Sequence, residues 1–279
     1  AWDPASRSVV KEKFGPTAYG ASEAGFDAAD LTRWIGQGAQ WKLDFGVRSA
    51  VPVSILFPGP GHLGGAIKQA QYAFHHQDGR TFLIGLGGVS FVSELQPDGS
   101  LHDLAFIGST HRFSFGCNWA PPRAFVDAFN RAYPDRVGRH ADKGPGVLWV
   151  DTDGDGQCQI DEFQFSTDCE DFAGAYWGHR MLDLTLRVPA RMGGRQVLLT
   201  LVPEGFLPSG APRYPPLAEA CAHAVPVDMS GNQVETAVDR FGTVVCNTDP
   251  EMKAFTPDGG TLWTYPNRWS NVQGSHNAP

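Results

Sequence analysis

Asp151, Asp153 and Asp155 stand at alternate positions of the stretch "DTDGDGQCQIDE", residues 151–162, with Gly156, Gln157, Gln159 and Glu162 behind them. Carboxylates crowded this closely repel one another unless a cation sits among them. A hard cation such as Ca2+ takes six to eight oxygens at roughly 2.3–2.6 Å, and a short loop wraps it when oxygens alternate and one residue permits a sharp turn. In that arrangement Asp151, Asp153 and Asp155 supply the first, third and fifth positions, and Gly156 turns the backbone at the sixth. Gln157 offers its carbonyl, Gln159 acts through water, and Glu162 clamps the ion with both oxygens. The preceding "VLWV" and Ile160 are apolar anchors. The expected metal site is therefore Asp151, Asp153, Asp155, Gln157, Gln159 and Glu162 around one Ca2+; the alternative is a solvated acidic turn.

No other grouping announces a reaction. None of the histidines falls in HExxH or another tight ligand spacing, and His75 and His76, adjacent on a strand, would point to opposite faces. "GPGHLGG" puts His62 in a glycine-rich loop that is neither a P-loop nor GxGxxG. A GxSxG nucleophile elbow is absent from the sequence, and the Ser–His neighbours of "GSTHRF" and "QGSHNAP" lack the separation a triad uses. Glu170 and Asp171 read as a solvated turn, and the tryptophans as packing residues before sugar platforms. No catalytic residue is assigned from the sequence.

The acidic stretch resembles the EF-hand calcium loop, D-x-[DN]-x-[DN]-G-x5-E, along all twelve positions. It departs at the eighth, where Cys158 replaces the usual β-branched residue or Leu. "DKGPGVLWV" cannot form an entering helix, and the sequence holds no second loop. The resemblance implies a calcium staple on a strand connection rather than a paired sensor that opens on binding.

The elements that must position this loop are strands. "GRTFLIGLGGVSFVSELQPDGSLHDLAFIGS" reads as strands over 81–86, 89–95 and 101–107, with turns at Gly87–Gly88 and Pro97–Asp98–Gly99. "MLDLTLRVP" and "RQVLLTLVP" make two more across "ARMGG", and "GTVVCNTDPEMKAFTPDGGTLWTYP" a further three around a second PDG turn. Helical spacing is scarce. Phe125, Ala128, Phe129 and Ala132 of "PPRAFVDAFNRAYP" fall at i, i+3, i+4 and i+7 between punctuating prolines. "EAGFDAADLTRWIGQG" and "PPLAEACAHAV" hold weaker helical turns.

At 279 residues the chain can bury a sizeable core, and 33 Gly and 21 Pro among many aromatics favour short strands and tight turns. A formal charge of −8 argues against a nucleic-acid surface and suits cation binding. No apolar run reaches the roughly 20 residues of a membrane span. The opening "AWDPASRS" and the abrupt "SHNAP" are what a processed or trimmed segment would leave. Cys158/Cys169 and Cys221/Cys246 are spaced for two local disulfides with Cys117 left over, the alternative being five reduced thiols. Calcium and disulfides together place the chain in an extracytoplasmic, secreted or periplasmic, compartment.

Short strands, turns and a twice-used PDG frame predict one all-β domain over 1–279, a β-propeller of about six blades, with a β-sandwich pair as the alternative. "MKAFTPDGGTLWTYP" resembles the repeat of quinoprotein-type (PQQ-like) propellers, in which a strand, a D-G turn and "LW" close each blade. Together with the acidic loop, the chain is similar to secreted bacterial β-propeller proteins of that repeat class. Neither the strand-end calcium site nor the adjacent cysteine pair of the quinone-dependent dehydrogenases is matched, so Ca2+ is the one cofactor expected. Three functions follow: a calcium-stabilised binding or assembly module for a protein or glycan ligand; a propeller enzyme, either a calcium-assisted lyase or hydrolase of carbohydrate or a redox protein; or part of a larger propeller completed by another subunit, marked by an exposed edge strand at "TLWTYP".

Overall fold

A computed structural model describes residues 2–3, 6, 8–9, 24–36, 39–58, 71–86, 90–117, 120–170, 179–180, 183–229, 233–248 and 251–266. The loop holding His62 and the turns at 87–88 and 171 lie outside them. β1 (Trp2–Asp3) and β2 (Ser8–Val9) form a short ribbon. β3 (Ala24–Phe26), β4 (Arg33–Gly36), β5 (Ala39–Asp44) and β6 (Ser49–Ile55) make a four-stranded antiparallel meander. The helical turn expected in "EAGFDAADLTRWIGQG" is instead β3, a turn and β4. Asp27 Oδ1 accepts the Ala29 N–H at 2.9 Å and Asp30 Oδ1 that of Thr32 at 3.0 Å, side-chain turns that draw the backbone away from a helical ladder.

Next come β7 (Phe57–Pro58), β8 (Gln71–Gln77), β9 (Arg80–Leu86), β10 (Ser90–Leu95) and β11 (Ser100–Ser109). Helices α1 (Thr110–Gly116) and α2 (Arg123–Ala132) follow, then β12 (Pro145–Val150) and β13 (Phe163–Glu170). The remainder is β14 (His179–Arg180), β15 (Leu186–Met192), β16 (Arg195–Leu201), α3 (Leu217–Ala222), β17 (Val225–Pro226), β18 (Gln233–Val238), β19 (Val244–Thr248), β20 (Glu251–Phe255) and β21 (Thr261–Pro266). One hydrogen-bonded path runs β17-β16-β15-β13-β12-β11-β10-β9-β8 and curls into a half-barrel, with β7 parallel to β11 beside it. A second sheet runs β14-β18-β19-β20-β21.

The chain is mostly β, as composition predicts, but the described strands do not divide into six blades. A blade is a separate four-stranded sheet, whereas here β9 to β13 pair in unbroken sequence and continue into β15 and β16. The reason shows in β12: "PGVLWV" is buried at every position, as a strand covered on both faces must be. Alternation along β9, β10 and β12 sorts these strands into two cores, while the β10–β11 register shift lets Leu104 and Ala105 fall in the same one. Phe82, Ile84, Val92, Ile107, Leu148 and Val150 face one side, together with α3 and β15–β16. Leu83, Phe91, Phe106, Val147 and Trp149 face the other, beneath α1 and α2.

The α2 periodicity is realised in its first three positions: Phe125, Ala128 and Phe129 are its buried face, while Ala132 at its end is exposed. Phe125 stacks on Phe113 of α1 at 4.3 Å between ring centroids and meets Phe163 of β13 edge-on at 5.5 Å. The weaker signal in "PPLAEACAHAV" is realised as α3, with Leu217, Ala220 and Cys221 buried. Both PDG frames close the same turn. Gln96 N–H donates to Ser100 O and Gly99 N–H to Gln96 O; Thr256 N–H and Gly259 N–H repeat the pattern with Gly260 O and Thr256 O. Gly99 and Gly259 adopt φ of 89° and 87°, which a side chain would strain. β21, "TLWTYP", pairs with β20 and is exposed along its length as the last strand of its sheet.

All five cysteines are free thiols. The local pairs expected from spacing are not formed: Cys158 packs against the α1–α2 side of the half-barrel and Cys169 lies in the core on its other side. Cys246 sits 4.0 Å from Thr236 Oγ1. Among the described residues no helix is long and apolar enough to cross a membrane.

Candidate metal centre

The acidic loop begins where β12 runs out of ladder. Asp151 N–H still donates to Leu104 O at 2.9 Å, but its side chain is fully buried and turns into the loop. There Oδ1 accepts the N–H of Gly154 at 2.8 Å, and Oδ2 that of Gly156 at 3.2 Å. Asp153 Oδ1 takes the Asp155 N–H at 3.1 Å and Asp155 Oδ1 the Gln157 N–H at 2.7 Å, so each aspartate winds the next step of the loop. Gly156, at the sixth position, has φ of 71°. Gly154 has φ of 84°, and a Cβ there would stand 3.2 Å from that of Ser209, whose hydroxyl donates to Asp151 O at 2.9 Å. The loop is thus wound by its own carboxylates and latched to the 206–212 turn.

This winding brings oxygens of Asp151, Asp153 and Asp155 within 4.8 Å of one another, a group that could hold a metal ion. Burial pushes the Asp151 carboxyl above the usual carboxylate range against the pull of the Gly154 and Gly156 amides. A cation on its oxygens would remove that cost. Gln159 completes one flank: its Nε2 donates to Asp155 Oδ2 at 2.8 Å and Asp153 Oδ2 at 3.3 Å, while its Oε1 is buried toward the Glu162 N–H as half of the cap on the 160–162 turn. The three carboxylates together form an all-oxygen group that fits a hard cation. Gln157 is exposed.

Glu162 is placed differently from the clamp its spacing predicts. The short 3-10 turn Ile160–Glu162 buries its carboxylate on the β12 side, outside the aspartate group. Oε2 accepts the Trp149 Nε1–H at 2.9 Å and the Gln159 N–H at 3.0 Å; Oε1 accepts the N–H and hydroxyl of Thr152 at 2.6 and 3.1 Å. Glu162 therefore ties both ends of the loop to the core tryptophan.

A second feature lies beside the loop and has no sequence motif. A cleft of about 660 Å3 opens between the β3–β6 meander and β9–β10, lined among others by Asp30, Gln40, Trp41, Lys42, Arg80 and Glu94. Its polar groups are prepaired. Arg80 binds Glu94 through two bonds of 2.9 and 2.7 Å, Lys42 Nζ meets Asp30 at 3.1 Å, and Arg33 donates to Gln40 Oε1 at 3.2 and 3.0 Å. Thr81 also lines the cleft, 3.2 Å from His76 Nδ1; His76 Nε2 lies 2.8 and 2.9 Å from the oxygens of buried Asp27. Arg80 reaches the acidic loop indirectly, donating to Gly210 O at 2.9 Å next to Ser209. His102, opposite Glu94 in the β10–β11 pair, has its Nε2 3.0 Å from Asp151 Oδ2. Charged residues at the ends of otherwise apolar strands are the signal that could have flagged Arg80 and Glu94. The fold and site define a mostly β protein with an acidic, metal-competent loop; compared with known protein families and with curated proteins, the chain matches none.

Proposed function

We propose that this chain is a secreted or periplasmic binding module whose acidic loop is stapled by Ca2+ and whose ligand is glycan-like. The convergence of Asp151, Asp153 and Asp155, with Asp151 fully buried, carries the reading. Calcium accepts such an all-oxygen, irregular donor set. A staple rather than a sensor is supported by what the loop joins, strand β12 to strand β13, with no helix pair to open. The exposed β21 edge is where another subunit would add a strand.

Titrating calcium into chelator-stripped protein by calorimetry tests the staple. One site is expected, and calcium at 100 times its Kd should stabilise the fold by about 2.7 kcal/mol. Asp153 and Asp155 are both exposed, so the double variant Asp153→Asn/Asp155→Asn should lose this response and melt like wild type in chelator. No heat with wild type would reduce the stretch to a solvated turn.

The ligand class rests on the cleft. Every sugar hydroxyl donates and accepts at once, and the Arg80–Glu94 and Lys42–Asp30 pairs present donor and acceptor side by side, near the indole of Trp41. The second reading, an enzyme acting on carbohydrate, is favoured by the Asp27–His76–Thr81 chain, which could pass a proton from a hydroxyl at the cleft wall. An oligosaccharide panel separates them: the module returns its ligand intact and loses at least about tenfold affinity on Trp41→Ala, whereas the enzyme returns shortened products. Failure of every oligosaccharide to bind would discard the glycan ligand.

A further inference from the structure

We infer that Cys169 and Cys221 close a disulfide that fastens α3 to β13 as the chain folds. The inference rests on the extracytoplasmic reading for its oxidant and on geometry for its partners. β13 leaves the acidic loop with Ser166 and Cys169 buried. Across them lies α3, whose first residue, Leu217, donates its N–H to Gln164 Oε1 at 2.8 Å. Cys221 Sγ comes 3.6 Å from Ser166 Oγ on β13, Cys169 Sγ lies 3.7 Å from Met192 Sδ, and both cysteines are buried in one apolar core where α3 packs on β13. No polar function uses this pair. Thiols that share one core across packed elements need only a local adjustment to reach about 2.05 Å between sulfurs, where Cys158 and Cys169 would have to cross the sheet.

The chemistry is exchange with an external disulfide, such as glutathione disulfide or the active disulfide of a thiol oxidase. One cysteine thiolate attacks a sulfur of that disulfide, breaking its S–S bond and releasing one thiolate. The second cysteine thiolate then attacks the mixed disulfide and releases the other. Two protein thiols lose two electrons, the external disulfide gains them, and both protons end on the released thiols. The neighbouring Cys169 lowers the Cys221 thiol from its ordinary value while Cys169 itself is raised, which favours Cys221 as the first attacker once the two are together.

The test refolds reduced, denatured protein with calcium, once in a glutathione redox buffer and once in dithiothreitol, then blocks free thiols and maps peptides. A linked Cys169–Cys221 peptide is expected only in the glutathione sample, which should melt roughly 10 °C higher than the reduced one. Cys221→Ser should lose the linked peptide and the difference in melting, and Cys246→Ser should keep both. Recovery of Cys169 and Cys221 as blocked thiols from folded protein in the glutathione sample, or their linkage to other cysteines, overturns the pairing. If Cys221→Ser does not fold, the wild-type map alone decides. Thiol blocking of the protein in its own cells is read separately: free thiols there, with linkage in vitro, would overturn the compartment and leave the pairing standing.

Discussion

Glu162→Gln should lower the melting temperature of the chelated protein by roughly 10 °C, corresponding to about 3 kcal/mol. The carboxylate is buried and accepts from Trp149 Nε1, Gln159 N, and both the N–H and hydroxyl of Thr152. Glutamine keeps one acceptor oxygen and turns an NH2 group towards donors. Whichever way the amide settles, donors on one side of it lose their acceptor. Trp149 is fully buried, so an orphaned indole N–H there finds no water. Thermal denaturation in excess chelator isolates this role from metal binding. If Glu162 served only as the calcium clamp, the chelated variant would melt at or above wild type, because a charge beside three aspartates had been removed. That result would end the account of Glu162 as the tie between loop and core.

The contrast between the aspartates and Glu162 shows what can be read from sequence. Asp151, Asp153 and Asp155 were legible because their convergence is local: each side chain caps the backbone two to five residues ahead, whatever the rest of the chain does. The destination of Glu162 depends on a tryptophan thirteen residues back, presented by a strand buried on both faces. The same divide runs through the fold. The PDG turns are set by the φ of proline and glycine and were found in place. Which strands pair is not written in the turn. Two hairpins with the same turn hydrogen bonds belong to different sheets, one in the half-barrel and one ending at β21, so a shared frame did not mean a shared blade. "VLWV" could have warned against blades, since a continuous apolar run marks a strand covered on both sides. Cysteine spacing misled for a related reason: Cys158 and Cys169 are near in sequence, but the half-barrel passes between them. The cleft had no motif because Asp30 and Lys42 come from the meander while Arg80 and Glu94 come from the half-barrel.

Arg80→Ala should cost about 2–3 kcal/mol at pH 7 and weaken calcium binding several-fold. Its guanidinium binds Glu94 through two bonds, donates to Gly210 O, and rests 4.6 and 5.0 Å from the ring centroids of Phe82 and Phe206. Removing it leaves a half-buried carboxylate unpaired and loosens the turn whose Ser209 holds the Asp151 carbonyl. The electrostatic part is separable by pH. The hydrogen bonds from Arg80 hold the Glu94 carboxyl below its ordinary range, despite partial burial. A lowered folded-state value means stability that is fully present above the unfolded-state value, about 4.3, and lost as pH falls through the folded one. The gap between wild type and variant in denaturant should therefore be widest at neutral pH and close substantially by about pH 3. A gap unchanged in acid would assign the loss to packing on Phe82 and Phe206. Calcium affinity is the independent readout, because packing beneath the cleft need not disturb the loop. A variant that is destabilised yet binds calcium as wild type would break the link from Arg80 through Gly210 and Ser209 to Asp151.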